Sequence, residues 1–131
     1  MVKGEKMNVI SDVKILDKDC ISDTNVKGKF IDKGAFDWML GESRIITANY
    51  GKIDFHNILG LAFNIRKKIG SIICDLHIYD VNGFDTELFS FVDEGLKKNA
   101  FRIRPLISIL HDELVGNTIM KADIVNCGVV L

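Results

Sequence analysis

Apolar residues recur at every second position in five or six separate stretches of this chain, and at helical spacing in only one. That contrast constrains the fold more than anything else in the sequence, because a period of two cannot be buried on one face of a helix. "MNVISDVKIL" sets Val9, Val13 and Ile15 against Asp12 and Lys14, the pattern of a half-buried strand. "VKGKFI" alternates again, and "RIITANYG" reads as a strand running into a turn at Asn49 to Gly51. "SIICDLHIYD" is a further strand, with Ile72, Cys74, Leu76 and Ile78 on one face and Asp75 and His77 on the other.

"DFHNILGLAFNIRKKIG" fits both periods. Phe55, Ile58, Leu59, Ala62 and Ile65 fall at helical spacing, while Leu59, Leu61, Phe63 and Ile65 alternate without a break. Gly60 costs a helix about 1 kcal/mol relative to alanine, so a hairpin turning at "RKKIG" is the preferred reading. The single helix is predicted near residues 85–98. There Leu88, Phe89, Phe91, Val92 and Leu96 form one stripe, Asp85 can cap, and Lys97 and Lys98 suit the C-terminal dipole. Pro105 keeps "FRIR" out of a central strand, and a closing hairpin begins at Leu106 with its turn in "HDELVGNT". In "TIMKADIV", Thr118, Met120, Ala122 and Ile124 are the expected core face, because the alternate face carries Lys121 and Asp123. The fold class is therefore strand-rich α+β, an antiparallel sheet or barrel-like sandwich with one main helix. One domain is expected over residues 1–131, with residues 1–6 loose.

Bulk properties exclude more than they assign. With 27% charged residues and a formal net charge of −1, nothing indicates the concentrated basic surface that nucleic acid needs. Cys20, Cys74 and Cys127 are widely spaced and contain no C-x-x-C, so neither a zinc ribbon nor a redox pair is signalled. "MVKGEKMNVI" lacks an apolar leader core, and no apolar run approaches the ~18 residues of a membrane span. A cytoplasmic protein with no cofactor is expected.

The candidate chemistry is short. His111, Asp112 and Glu113 form the densest polar cluster, and His77 shares a strand face with Asp75. Brought together, these residues would bind a divalent metal or act as acid and base. The competing reading is a solvated turn and a hydrogen-bonded strand histidine. Cys74 falls with core residues in the alternation and lacks a neighbouring base. Trp38 and Met39, inside the apolar "AFDWML", serve either as interface anchors or as core. The closing "ADIVNCGVVL" has a single charge and none of the lysine or proline that blunts an open strand edge. It is expected to be covered inside the domain or by another subunit, with Val129 and Val130 at that contact.

The order strand, helix, strand, hairpin, strand in "GSIICDLHIYD", "DTELFSFVDEGLKKN" and "LISILHDELVGNTIMKADIVNCGVV" resembles the C-terminal half of phage tail-tube proteins of contractile tails. The N-terminal half, including "KGAFDWML", lies outside the resemblance. It implies a non-catalytic structural subunit of a homomeric, stacked-ring assembly, a virion or injection-machine component that meets other assembly proteins. The alternatives are a small metal-dependent enzyme using His77, His111, Asp112 and Glu113, and a monomeric binding or adaptor domain whose partner meets "AFDWML".

Overall fold

The computed structural model describes residues 9–17, 24–26, 28–48, 58–78, 86–110 and 114–130. The polar start, the Asn49 to Gly51 turn, the Asp85 cap and the His111-Asp112-Glu113 cluster lie outside the described residues. The strand-rich α+β expectation holds: a curled, half-barrel sheet carries most of the chain, with a second small sheet and one helix.

The large sheet contains β1 (Val9–Leu16), β3 (Arg44–Thr47), β4 (Ile58–Lys68), β5 (Ser71–Ile78), β6 (Arg102–Ile109) and β9 (Ala122–Val130). Their spatial order is β1-β5-β4-β3-β9-β6, antiparallel except between β3 and β9. The small sheet has the order β2-β8-β7, from β2 (Phe30–Ile31), β7 (Leu114–Val115) and β8 (Thr118–Ile119). The helix, α1, is Thr86–Lys97, and a 3-10 turn spans Asp37–Met39.

The ambiguous middle is the hairpin. β4 and β5 pair from Gly60↔Ile78 to Lys68↔Ser71 and turn through Ile69-Gly70. Gly60 is required there: a Cβ on it would lie 1.9 Å from the carbonyl oxygen of His77. Alternation in β5 is realised as read, with Cys74, Leu76 and Ile78 buried and Asp75 and His77 half-buried. The core gathers these residues with Ile10, Ile15, Ile46, Ile65, Val92, Ile103 and Ile124.

Pro105 stays out of any central strand, as expected: it sits in β6, an edge of the sheet, where a missing N–H costs no ladder bond. Four expectations are corrected. The first strand of the closing hairpin begins at Arg102 and not at Leu106. Phe91 is 64% exposed and leaves the helix stripe, meeting Phe101 edge-to-face at 5.0 Å. "VKGKFI" yields only the two-residue β2. Finally, the closing hairpin is not a simple return. β7 and β8 form a smaller hairpin at its tip, and a bend at Met120-Lys121 separates β8 from β9. The bend shifts the phase, so Ile119 is buried and Met120 exposed, whereas Ala122 and Ile124 keep the predicted inward face.

A candidate interaction surface at one end of the sheet

The register places several loops at one end of the sheet. The β4–β5 turn, the starts of β3 and β9 and the end of β6 meet there, together with the small sheet. The segment 33–41 stitches them: the Ala122 N–H donates to the carbonyl of Ala35 at 3.1 Å, and the Gly41 N–H to that of Ile65 at 2.9 Å. Trp38 lies across this seam, its indole N–H donating to the carbonyl of Ala122 at 2.7 Å. Met39 is fully buried, its sulfur accepting the Ile124 N–H at 3.4 Å. Met39 therefore belongs to the domain's own core and cannot be presented to another chain, while Trp38 remains 45% exposed.

Around Trp38 the surface is unusually apolar. Of eight large hydrophobic residues exposed among the described residues, six (Phe30, Trp38, Ile69, Leu114, Val115 and Met120) are at this end. The small sheet explains why. Phe30, Thr118 and Val115 form one cross-strand row, and Ile31, Ile119 and Leu114 form the other. Ile119 turns the second row toward the core, which leaves Phe30 and Val115 facing outward at 69% and 67% exposure. Trp38, Leu114, Val115 and Met120 line a shallow groove with Asp37 and Lys121. β7 is an edge strand of its sheet.

The closing strand behaves differently from that surface. β9 lies between β3 and β6, pairing with β6 from Ala122 to Val130. Arg44 secures its start, donating to the carbonyl of Ile124 at 2.8 Å and to the Asp123 carboxylate at 2.8 Å. Val129 packs half-buried against the core opposite Ile103, and Val130 lies opposite Arg102. β6 pairs with the strand along its length and β3 pairs with it at Cys127 and Gly128, while Val129 and Val130 are half-buried. One polar group inside is incompletely met: Asn126 donates to the Thr47 hydroxyl at 3.2 Å, but its buried Oδ1 has no partner.

Of the predicted chemical cluster only His77 lies among the described residues, which contain no group of three or more His, Cys, Asp or Glu side chains able to hold a metal. His77 is half-buried and already engaged by a partner. Asp75 is a structural acceptor. It receives the Asn64 amide at 3.0 Å, the Asp12 N–H at 3.1 Å and the Arg66 guanidinium at 3.3 Å. Asp12 and Asn64 both have positive φ, at 57° and 52°, and each marks a break in strand register. Asp75 thus locks two adjacent β-bulges. Burial opposes its ionisation, but the Asn64 amide, the Asp12 N–H and Arg66 outweigh it and hold the carboxyl below its usual range. Burial pushes the Cys74 thiol far up, and raises Cys127 to about 12, so neither forms a nucleophilic thiolate near neutrality.

No helix among the described residues is long and apolar enough to cross a membrane. Comparison of the chain with protein-family models, with curated proteins and with solved structures matched none.

Proposed function

We propose that the protein is a structural subunit of a homomeric assembly, ring-forming in the manner of phage tail-tube proteins, and performs no catalysis. The concentration of exposed apolar side chains at one end carries this reading. Phe30, Leu114, Val115 and Met120 contribute little to the fold when solvated, and contiguous apolar surface of this kind marks a docking site. The edge strand β7, free of charge at Leu114 and Val115, adds an unpaired backbone beside them. The curled sheet with one amphipathic helix is compatible with a tube subunit, and in that reading the chain works as a virion or injection-machine component alongside other assembly proteins. Of the residues of the metal-dependent alternative, only His77 lies among the described residues, and it is already engaged by a partner.

A second reading keeps the surface and changes the partner: a monomeric adaptor that presents Trp38 and its neighbours to a different protein. Native mass spectrometry of the full chain separates the two. Discrete oligomers that dissociate in Phe30→Ser and Val115→Glu support self-assembly, since both positions are more than two-thirds exposed and neither supports the core. A monomer at all concentrations favours the adaptor.

A further inference from the structure

The two edge strands of the large sheet, β1 and β6, flank a cleft of about 610 Å³ whose walls carry Ile10, Ile15, Leu16, Leu96, Ile103 and Pro105. The two strands are not held alike. We infer that β1 is the movable wall of this cleft, and that Arg66, closing on Asp12 and Asp75, is the catch that holds it shut. Neither part depends on the apolar end of the molecule or on what docks there.

β1 is loosely laddered. Val9, Ile10, Val13, Lys14 and Leu16 have register partners on β5, but Ser11, Asp12 and Ile15 have none, and the register slips at both places. At each slip β1 carries one residue more than β5, as in a β-bulge. β6, by contrast, pairs with β9 at every residue from Arg102 to Ile109 and slips once. The Asn25 side chain adds a further tie, donating to the carbonyl of Ile107 and accepting its N–H, both at 2.8 Å. An edge strand is paired along one side only, so a ladder that breaks twice in 8 residues is the first to open.

Packing agrees. Ile10, Ile15 and Leu16 are buried but line the cleft, so part of their surface faces open space and forgoes the dispersion contacts of a close-packed core. β5, on which β1 rests, is also paired with β4, so it stays in the sheet when β1 leaves.

A side-chain cluster takes the place of the missing ladder. Asp75 stands on β5 between the bulges at Asp12 and Asn64, and its Oδ1 accepts the Asp12 N–H at 3.1 Å. The Arg66 guanidinium reaches from β4 across β5. It donates to Asp75 Oδ1 at 3.3 Å, to the Asn64 carbonyl at 2.8 Å, and to the Asp12 carboxylate on β1. Arg66 therefore ties β1 to a strand that its own ladder does not reach. The side chains of Asp12 and Arg66 are 63% and 32% exposed, so water competes for their bond and the catch can release without unfolding the sheet behind it. Release bares the edge of β5 and widens the cleft.

Hydrogen exchange of the whole chain at pH 7, read by mass spectrometry on segments 9–16, 102–109 and 122–130, tests this. β1 is expected to exchange roughly tenfold faster than β6, its fellow edge strand. Arg66→Gln is expected to speed exchange in β1 by about a further tenfold. Arg44→Met is the control, because it loosens the start of β9 and leaves the catch untouched. An opening confined to β1 keeps the contacts of Arg44, so β1 exchange should stay at the wild-type rate in that variant while β9 exchange rises. If Arg44→Met speeds β1 as much as β9, β1 opens only with the whole fold and the inference is overturned. Equal rates for β1 and β6 in the wild type also overturn it, and an unchanged β1 rate in Arg66→Gln overturns the catch.

Discussion

Replacing Gly60 with alanine distinguishes the observed hairpin from the helix that the same residues could have formed, because the two structures give opposite signs. In the hairpin, Gly60 faces Ile78 of β5 and Ile46 of β3. The added methyl carbon would lie 1.9 Å from the His77 oxygen and 3.0 Å from the Ile78 Cα, both backbone atoms that no rotamer change can move. Forcing such an atom into a packed site costs about 1–3 kcal/mol. Displacing the His77 carbonyl sacrifices a further ~1 kcal/mol of ladder hydrogen bonding. A loss of about 3 kcal/mol, at about 4 °C per kcal/mol for a domain of this size, lowers Tm by roughly 12 °C. Scanning calorimetry and urea denaturation measure it, with far-ultraviolet circular dichroism showing that the native strand signal is retained. In a helix, the substitution would instead stabilise by about 1 kcal/mol. A rise in Tm would refute the hairpin.

Three other outcomes follow from the buried polar groups. The carboxyl of Asp75 is depressed in the folded state, so its stabilisation is complete above the unfolded value of ~3.9 and disappears as pH falls through the lower folded value. Asp75→Asn should therefore cost about 1–3 kcal/mol at pH 7, and urea midpoints of the two proteins should converge as pH falls through that lower value. Arg44→Met strands Asp123 and the Ile124 carbonyl, and should destabilise by about 2–4 kcal/mol, most of it recovered in Arg44→Met/Asp123→Leu. In a Cys20→Ser background, Cys74 and Cys127 should resist thiol reagents at pH 8 until denaturant is added, so that labelling follows unfolding.

Much of the fold was legible wherever alternation ran unbroken between clear turns. β5 and the Ile69-Gly70 hairpin follow directly from period two, and α1 follows from the stripe through Phe89, Val92 and Leu96. Legibility failed where tertiary context resets the phase. The bend at Met120-Lys121 inverts the faces of "TIM" relative to "ADI", and nothing local in those six residues announces it. Pro105 was read correctly as barring a central strand, but residues at an edge escape that bar. The bulges at Asp12 and Asn64 depend on one carboxylate, that of Asp75, reaching across two strands. Trp38 stood out because it is large and lies in the short apolar "AFDWML". Phe30 did not, since an apolar residue in a strand reads as core until the covering layer is known, and Leu114 and Val115 fell inside the expected turn "HDELVGNT". Ile69 carried a signal that could have been used: isoleucine before glycine at the tip of a two-residue hairpin is a poor turn former.

Sedimentation velocity of the chain over a wide concentration range tests the central claim most directly. The account predicts a discrete, larger species that grows with concentration in the wild type and is lost in Val115→Glu, whose monomer keeps the wild-type Tm. A single monomeric boundary at every concentration, for both proteins, would contradict it.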